Sequence, residues 1–139
     1  MTREARVRVI EAVAQCFNTG SFGALDGVLG PGLEDFKRFL IAARDAFADG
    51  VFTIEEVICE GDTVVDRYTI SGTHARPFRG IPATGKRVTF GGISIVKIAD
   101  GRIVERRGVV DRYGLLSQPG LLAERGGPAG SPGDVTDGA

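Results

Sequence analysis

The sequence predicts an α+β fold, in which a curved antiparallel sheet of at least four strands packs on three N-terminal helices and a short helix follows the last strand. The apolar residues change from a period of about 3.6 to a period of about 2 near residue 51. Gly30-Pro31-Gly32 interrupts the helical part of the chain. Asp100-Gly101 lies between two alternating apolar runs, which is the strongest short-range signal of a β-hairpin.

Apolar residues at helical spacing define the three helices. The first covers about residues 3–18, and Gly20 just beyond it is a residue type that commonly terminates helices. A short second helix is expected from Phe22 to Leu29, with Ser21 as its N-terminal cap. The third is expected from about Glu34 to Ala48, because one continuous apolar stripe runs along it opposite a charged face.

Alternating apolar and polar residues predict the strands, and a last short helix follows them. The predicted elements are strands at about 52–58, 63–73, 87–98 and 102–110, and a helix between Asp111 and Gly120. We expect one domain covering residues 1–122 of the 139-residue chain. Residues 123–139 have almost no apolar content, so they are predicted to form a disordered tail.

Composition narrows the class of function. The 17 basic and 18 acidic residues give a net charge of −1, which argues against a nucleic-acid or membrane partner. One histidine, scattered carboxylates and two distant cysteines, Cys16 and Cys59, fit neither a metal site nor a disulfide framework. The first residues lack the pattern of a secretion signal. We therefore expect a cytoplasmic protein without a metal or other cofactor.

The second predicted strand carries the most suggestive side chains. Its alternation places Asp66, Tyr68 and His74 on one otherwise apolar face. Burial favours the neutral form of a carboxyl group, which is how a general acid or base is adjusted to work near neutral pH. These three residues are the candidate catalytic groups. The structural alternatives are an Asp66 that pairs with Arg67 or Arg87 at the surface, a rim histidine, and a Tyr68 that only packs in the core.

Six segments carry a family resemblance, in the same order as in that family: FNTGSFGALD at 17–26, FKRFLIAARDAFAD at 36–49, GDTVVDRYTISGTH at 61–74, FRGIPATGKRV at 78–88, ADGRIVERRGVVD at 99–111 and LLSQPG at 115–120. In these segments the chain resembles the SnoaL-like polyketide cyclases of the NTF2-like superfamily. The resemblance implies a cone-shaped fold with a cavity for a hydrophobic small molecule. Together with the apolar residues on both sheet faces, it also implies a homodimer through the outer face of the sheet.

The resemblance also exposes departures. Cyclases of known mechanism in this family have a histidine where Ser94 falls and an aspartate where Gly108 falls, and this chain has neither. Gly92 and Gly108 are expected to leave space that deepens the cavity. The usual extended segment between the second and third helices is reduced to Gly30-Pro31-Gly32, so the mouth of the cavity should be wider, or a partner subunit or the tail should cover it.

Further residues are candidates for substrate binding because the cone would place them in or beside the cavity. They are Phe17, Phe39, Phe90, Ser94, Arg106, Gly108 and Asp111. Four of them have a structural alternative: Phe17 and Phe39 lie at helical spacing and fit a core, Arg106 could lie on the outer sheet face, and Asp111 fits a helix N-cap.

Three functions remain open on the sequence. The first is a cofactor-independent cyclase or isomerase that closes a ring in a polyketide-like or prenylated aromatic substrate, with Asp66 moving a proton and His74 or Tyr68 assisting. The second is an epoxide hydrolase of the limonene type, which needs a second inward-facing acid. The third is a non-catalytic module that binds a small molecule or a partner subunit.

Overall fold

The computed structural model describes residues 2–118, which fold into one curved sheet packed on helices. The elements in chain order are α1 (Arg3–Thr19), a 3₁₀ helix (Phe22–Gly27), α2 (Glu34–Ala46), β1 (Val51–Glu60), β2 (Thr63–Thr73), β3 (Arg87–Ala99), β4 (Arg102–Val110) and α3 (Arg112–Ser117). The predicted α+β architecture with a four-stranded antiparallel sheet is confirmed. The predicted tail, residues 123–139, lies outside the described residues.

The helix ends follow local chemistry. The Thr2 hydroxyl caps α1 by accepting a hydrogen bond from the Ala5 amide at 3.1 Å. Gly20 ends the same helix in the left-handed conformation, with φ of 72°, as the sequence predicts. The second predicted helix begins at Phe22 as expected, but it is a 3₁₀ helix that ends at Gly27, and Ser21 gives it no side-chain cap. α2 ends at Ala46 because Phe47 turns away to bridge His74 at the end of the sheet.

The strands pair in sequence order as a meander, β1-β2-β3-β4. Asp100 and Gly101 both have positive φ, 53° and 75°, so the predicted tight turn between β3 and β4 is confirmed. β2 pairs with β3 without interruption from Thr63 to Thr73. A bulge between Ile54 and Glu56 bends β1, which increases the curvature at that edge of the sheet.

The short Gly30-Pro31-Gly32 connection lies at the edge of β4. Leu29 forms a parallel bridge with Ile103, and the Gly30 amide donates to the Ile103 carbonyl at 2.7 Å. Arg102 fastens the same segment by donating to the carbonyls of Asp26 and Leu29. This segment therefore pairs with only the first residues of β4, and no described strand pairs with the rest of that edge.

An aromatic core fills the space between α1, α2 and the concave face of the sheet. Phe47 lies at its centre, with ring centroids 5.3 Å from Phe78, 5.6 Å from Phe90 and 5.4 Å from His74. Toward β1, Phe52 stacks on Tyr68 at 4.7 Å. Aromatic pairs at these separations add about 0.5–1.5 kcal/mol each beyond the area they bury. The core thus fixes the concave face, which carries the candidate site.

Candidate functional site

The candidate site is one row of residues across the concave face of the sheet. β2 is paired to β3 so that Asp66 lies opposite Ser94, and β3 is paired to β4 so that Ser94 lies opposite Gly108. The alternation of β2 is confirmed, because Val64, Asp66, Tyr68 and Ile70 are all buried. The row brings together one residue from each of three strands, and no local sequence motif connects these residues.

Asp66 is a buried carboxyl group held by one hydroxyl group. Asp66 is 5% exposed, and its Oδ2 accepts a hydrogen bond from Ser94 Oγ at 2.5 Å. Burial raises the pKa of Asp66, and the Ser94 hydrogen bond and the charge of Arg106 only partly oppose this effect. The site therefore favours a carboxyl group that holds its proton more tightly than a surface aspartate does.

The surface interpretation of Asp66 is wrong. Arg67 points to the opposite face and pairs with Glu56 at 2.7 Å. Arg87 pairs with Asp49 at 3.0 Å. Both arginines thus have other carboxylate partners, and Asp66 lies at the concave face with Ser94 instead.

Arg106 is directed to the concave side of β4, where it lies between the sheet and α2. Its Cζ is 3.8 Å from the centroid of the Phe36 ring, a short cation–π contact. A Cβ atom added to Gly108 would lie 2.7–2.8 Å from three atoms of the same guanidinium group. Glycine at position 108 is therefore what allows Arg106 to lie flat across the strand beside Asp66.

The prediction that Gly92 and Gly108 leave open space is wrong. A Cβ atom at Gly92 would lie 2.4 Å from the Tyr68 hydroxyl oxygen and 2.8 Å from the Val109 carbonyl oxygen. The Tyr68 ring, 1% exposed, covers Gly92 just as the Arg106 guanidinium covers Gly108. Both glycines admit a large neighbouring side chain, and neither enlarges a cavity.

His74 is not part of the row. It shares the buried face of Asp66, but eight residues of extended chain separate them, or about 26 Å of strand. Its Nδ1 lies 3.1 Å from Thr84 Oγ1, and its ring packs on Phe47. Burial lowers the pKa of His74, with the backbone of Ile81 and Arg76 opposing this effect, so the imidazole is neutral at pH 7. The structure thus places His74 in the core beside the loop.

The other candidate binding residues divide between core and cap. Phe17, Phe39 and Phe90 are at most 2% exposed and pack against neighbouring rings. Asp111 Oδ1 accepts a hydrogen bond from the Gly114 amide at 2.8 Å, so the predicted N-cap of α3 is confirmed. Only Ser94 and Gly108 of that set lie in the row with Asp66, and the Arg106 guanidinium lies over Gly108.

A cavity that the sequence analysis missed lies between the 74–86 loop and α3. It has a volume of about 140 Å³ and is lined by Phe78, Ile81, Val110 and Leu115 together with Arg79 and Arg112. Arg79 and Gly80 form a two-residue turn in which both have positive φ, 50° and 80°. The sequence held one signal for this turn, an Arg-Gly pair between two apolar residues. An arginine seldom adopts a positive φ, so such a turn is unusual.

Other kinds of site were sought in the described part of the chain. Between residues 2 and 118, no three His, Cys, Asp or Glu side chains are grouped as metal ligands would be. Within the same span, none of the helices has the length and apolar character needed to cross a membrane. Cys16 and Cys59 are both free thiols.

The comparisons with known proteins define the class. The family model for SnoaL-like polyketide cyclases matches residues 7–119, which is most of the chain. The protein therefore belongs to the SnoaL-like polyketide cyclase family. Among curated proteins, none is significantly similar to it in sequence.

Solved structures agree with this assignment. TsrD from Streptomyces laurentii is 29% identical with a TM-score of 0.81, over 87% of this chain and 98% of that one. AclR from Streptomyces galilaeus, a candidate hydroxylase, is 22% identical with a TM-score of 0.76, over 86% and 98% of the two chains. IdmH from Streptomyces antibioticus, a candidate polyketide cyclase, is 24% identical with a TM-score of 0.72, over 82% and 97%. The last two likenesses concern the fold alone.

Proposed function

We propose that the protein is a cofactor-independent cyclase or isomerase that closes a ring in a polyketide-like or prenylated aromatic intermediate of antibiotic biosynthesis. The observation that carries the proposal is the buried Asp66 carboxyl, held by Ser94 and flanked by the Arg106 guanidinium. Such a group is a proton donor and acceptor placed against an apolar wall. The two free cysteines agree with a reducing, cytoplasmic location.

The row of Asp66, Ser94 and Gly108 supports this proposal over a non-catalytic role. Relatives of known mechanism have their acid at the position of Gly108, on β4. In this chain the carboxyl group comes from β2 instead, at the opposite end of the same row. The row therefore still contains one acid, and the Arg106 guanidinium covers Gly108, the position on β4 where those relatives have theirs. Burying a carboxyl group costs free energy, so a purely structural core would favour an apolar residue at position 66.

In the proposed reaction, Asp66 gives one proton to the substrate and later takes one proton back from it. Asp66, in the neutral form that burial favours, donates its proton to an epoxide or carbonyl oxygen of the substrate. An internal hydroxyl or carbon nucleophile then forms the ring bond, as the epoxide carbon–oxygen bond breaks or as the carbonyl π bond opens to leave an alcohol. The proton released by the nucleophile returns to the Asp66 carboxylate. Ser94 and Arg106 stabilise that carboxylate while it is charged, and the aromatic wall holds the substrate in a reactive shape.

The epoxide hydrolase receives less support. That reaction needs a second inward-facing acid, and Asp66 is the sole buried carboxylate among residues 2–118. Hydrolysis therefore stays an outcome of the test below, where it would appear as a diol product.

The test is the conversion of epoxidised or poly-β-keto aromatic substrates, followed by mass spectrometry of the products. Asp66→Asn keeps the shape of the side chain and removes proton transfer, so turnover should fall by about 10²–10⁴-fold. Asp100→Asn is the matched control, because Asp100 is exposed in a turn with positive φ that asparagine tolerates. Turnover of Asp66→Asn within a few-fold of the unmodified protein would refute the role of Asp66.

We also propose a homodimer through the outer face of the sheet. Ile93, Ile95 and Val109 are 46%, 45% and 40% exposed there, beside a shallow groove of about 360 Å³. Apolar side chains at this density favour burial against another surface. Light scattering at micromolar concentration should give the mass of two chains, and Ile93→Asp should shift it to one. A monomeric unmodified protein would contradict the proposal.

A further inference from the structure

Phe36, in the first turn of α2, carries the guanidinium group of Arg106 on its ring. The Arg106 Cζ atom is 3.8 Å from the centroid of this ring, whereas the other guanidinium–ring contacts described between residues 2 and 118 measure 5.1 to 6.0 Å. Phe36 is 6% exposed, so its ring is shielded from water. A cation is held more strongly over a desolvated aromatic face than over an exposed one.

The Arg106 side chain starts one row away from Asp66 and runs toward it. Arg106 is paired with Val96, and Val96 with Val64, so its Cα lies in a row whose other members are buried valines. Its guanidinium nevertheless lies over Gly108, two residues further along β4 and in the row of Asp66. The side chain therefore extends along the strand instead of leaving it directly.

Two contacts favour this position of the guanidinium. Gly108 provides the room, since a Cβ atom there would lie 2.7 to 2.8 Å from three guanidinium atoms. Room alone does not hold an arginine, because this long side chain has many rotamers and loses conformational entropy when it is kept in one. The Phe36 ring supplies an attractive contact that offsets this loss.

The place of the Arg106 charge matters to Asp66. Burial raises the pKa of Asp66, and the Ser94 hydrogen bond and the Arg106 charge lower it. In the proposed reaction Asp66 alternates between a neutral and a charged form. A guanidinium that is already in place stabilises the charged form without rearrangement during the reaction.

The elements packed against Asp66 bring few other ionisable groups toward it. Between residues 2 and 118, α1 buries apolar residues and Cys16, and α2 buries apolar residues only. β1 places Val57 opposite Asp66, and the next ionisable residue on the same face of β2 is Tyr68. An Asp66 titration that changes with a substitution on α2 therefore reports on the Arg106 charge or on hydration.

We infer that Phe36 is a positioning residue of the proposed active site, which holds the Arg106 guanidinium over Gly108 so that its charge acts on Asp66 during proton transfer. The inference rests on the proposed function, since Asp66 is the group that this arrangement serves. It predicts that the face of an aromatic ring is required at position 36, and not only an apolar side chain of sufficient volume.

The experiment titrates the Asp66 carboxyl by ¹³C NMR in variants of α2. Phe36→Leu removes the ring face but keeps an apolar side chain, so Arg106 is released and the pKa of Asp66 should rise. Loss of packing alone would admit water and lower that pKa, so the direction of the change separates the two causes. Phe36→Tyr keeps the ring and should keep the pKa. Phe39→Leu is the matched control, because it removes a buried ring one turn along α2 that carries Arg79 instead.

Two further measurements test whether Phe36 acts through Arg106. In an Arg106→Gln background, Phe36→Leu should not raise the pKa of Asp66, because the charge that it displaces is already absent. With Arg106 present, Phe36→Leu should lower kcat by about 2–30-fold, the range that corresponds to one cation–π contact. The alkaline limb of the pH profile of kcat/KM should move to higher pH, since the reaction starts from the protonated form of Asp66.

An Asp66 pKa that is unchanged in Phe36→Leu would overturn the inference, as would an equal rise in Phe36→Tyr or Phe39→Leu. A rise that persists without Arg106 would overturn it too, and so would a kcat that stays the same while the pKa rises. Asp66→Asn bears on the proposed function alone. If that variant keeps its turnover, the role of Asp66 is refuted, and the titrations still decide whether Phe36 holds Arg106.

Discussion

Asp66, near the start of β2, and His74, just beyond its end, are both buried on the same face, with opposite consequences for their pKa values. At one end the pKa of Asp66 is raised, and its carboxyl is met by a hydroxyl group and lies near a guanidinium. At the other end the pKa of His74 is lowered, and its ring packs at a tilt against Phe47 in the core. Both groups favour their neutral forms, and hydrogen bonds partly oppose this in both, with Ser94 at Asp66 and with the backbone of Ile81 and Arg76 at His74. The charge of Arg106 acts in addition on Asp66. A shared strand face therefore does not make a shared site.

Substitution of His74 and of Asp66 should test the comparison most clearly. His74→Ala removes a ring that is 1% exposed and packed on Phe47, so it should destabilise the fold by about 2–4 kcal/mol. Asp66→Asn keeps the volume and removes the cost of burying a carboxylate, so the free energy of unfolding should stay the same or rise slightly. Urea denaturation of both variants measures the difference. Similar losses from the two changes would show that Asp66 is as structural as His74.

Substitution of Gly92 and of Gly108 by alanine should give a smaller difference in the free energy of unfolding. In Gly92→Ala the new methyl group meets the Val109 backbone oxygen at 2.8 Å, and overpacking of this kind costs about 1–3 kcal/mol. In Gly108→Ala it meets only the end of the flexible Arg106 side chain, which can move away, so the stability cost should be well below that of Gly92→Ala.

Displacement of Arg106 in Gly108→Ala should also have an electrostatic effect. The arginine charge lowers the pKa of Asp66, so moving it away should raise that pKa further. Titration of the Asp66 carboxyl by ¹³C NMR measures the shift, and Gly92→Ala serves as the control. An unchanged pKa in Gly108→Ala would mean that the guanidinium keeps its place.

The smallest predicted effect is a pair of opposite pH dependences. The raised pKa of Asp66 gives stability that is fully present below about pH 3.9 and is lost as the pH rises through the folded-state pKa. The lowered pKa of His74 gives stability that is fully present above about pH 6.5 and is lost as the pH falls through its folded-state pKa. Unfolding free energies measured from pH 4 to 8 should therefore lose the first slope in Asp66→Asn and the second in His74→Gln. A variant that retains the slope assigned to its residue would contradict the assignment.

Local signals in the sequence were sufficient for most of the fold. The change of period near residue 51, the Asp100-Gly101 turn and the Gly20 stop each depend on a few neighbouring residues, and each is confirmed. The type and the last residue of the second helix were mispredicted. The predicted segment from Phe22 to Leu29 is short, and segment 28–30 pairs with β4 instead of continuing the helix.

Sequence alone determined that Asp66, Tyr68 and His74 face the concave side, because strand alternation is a local property. Only the tertiary structure decided which of them have chemical neighbours. Strand register joined Asp66 to Ser94 and Gly108 across two pairings, and packing against α2 brought Arg106 over Gly108. The same packing placed Arg79 on Phe39 and enclosed the cavity between the 74–86 loop and α3. Contacts between residues distant in sequence depend on how the sheet curves over the helices, and no local pattern encodes that curvature.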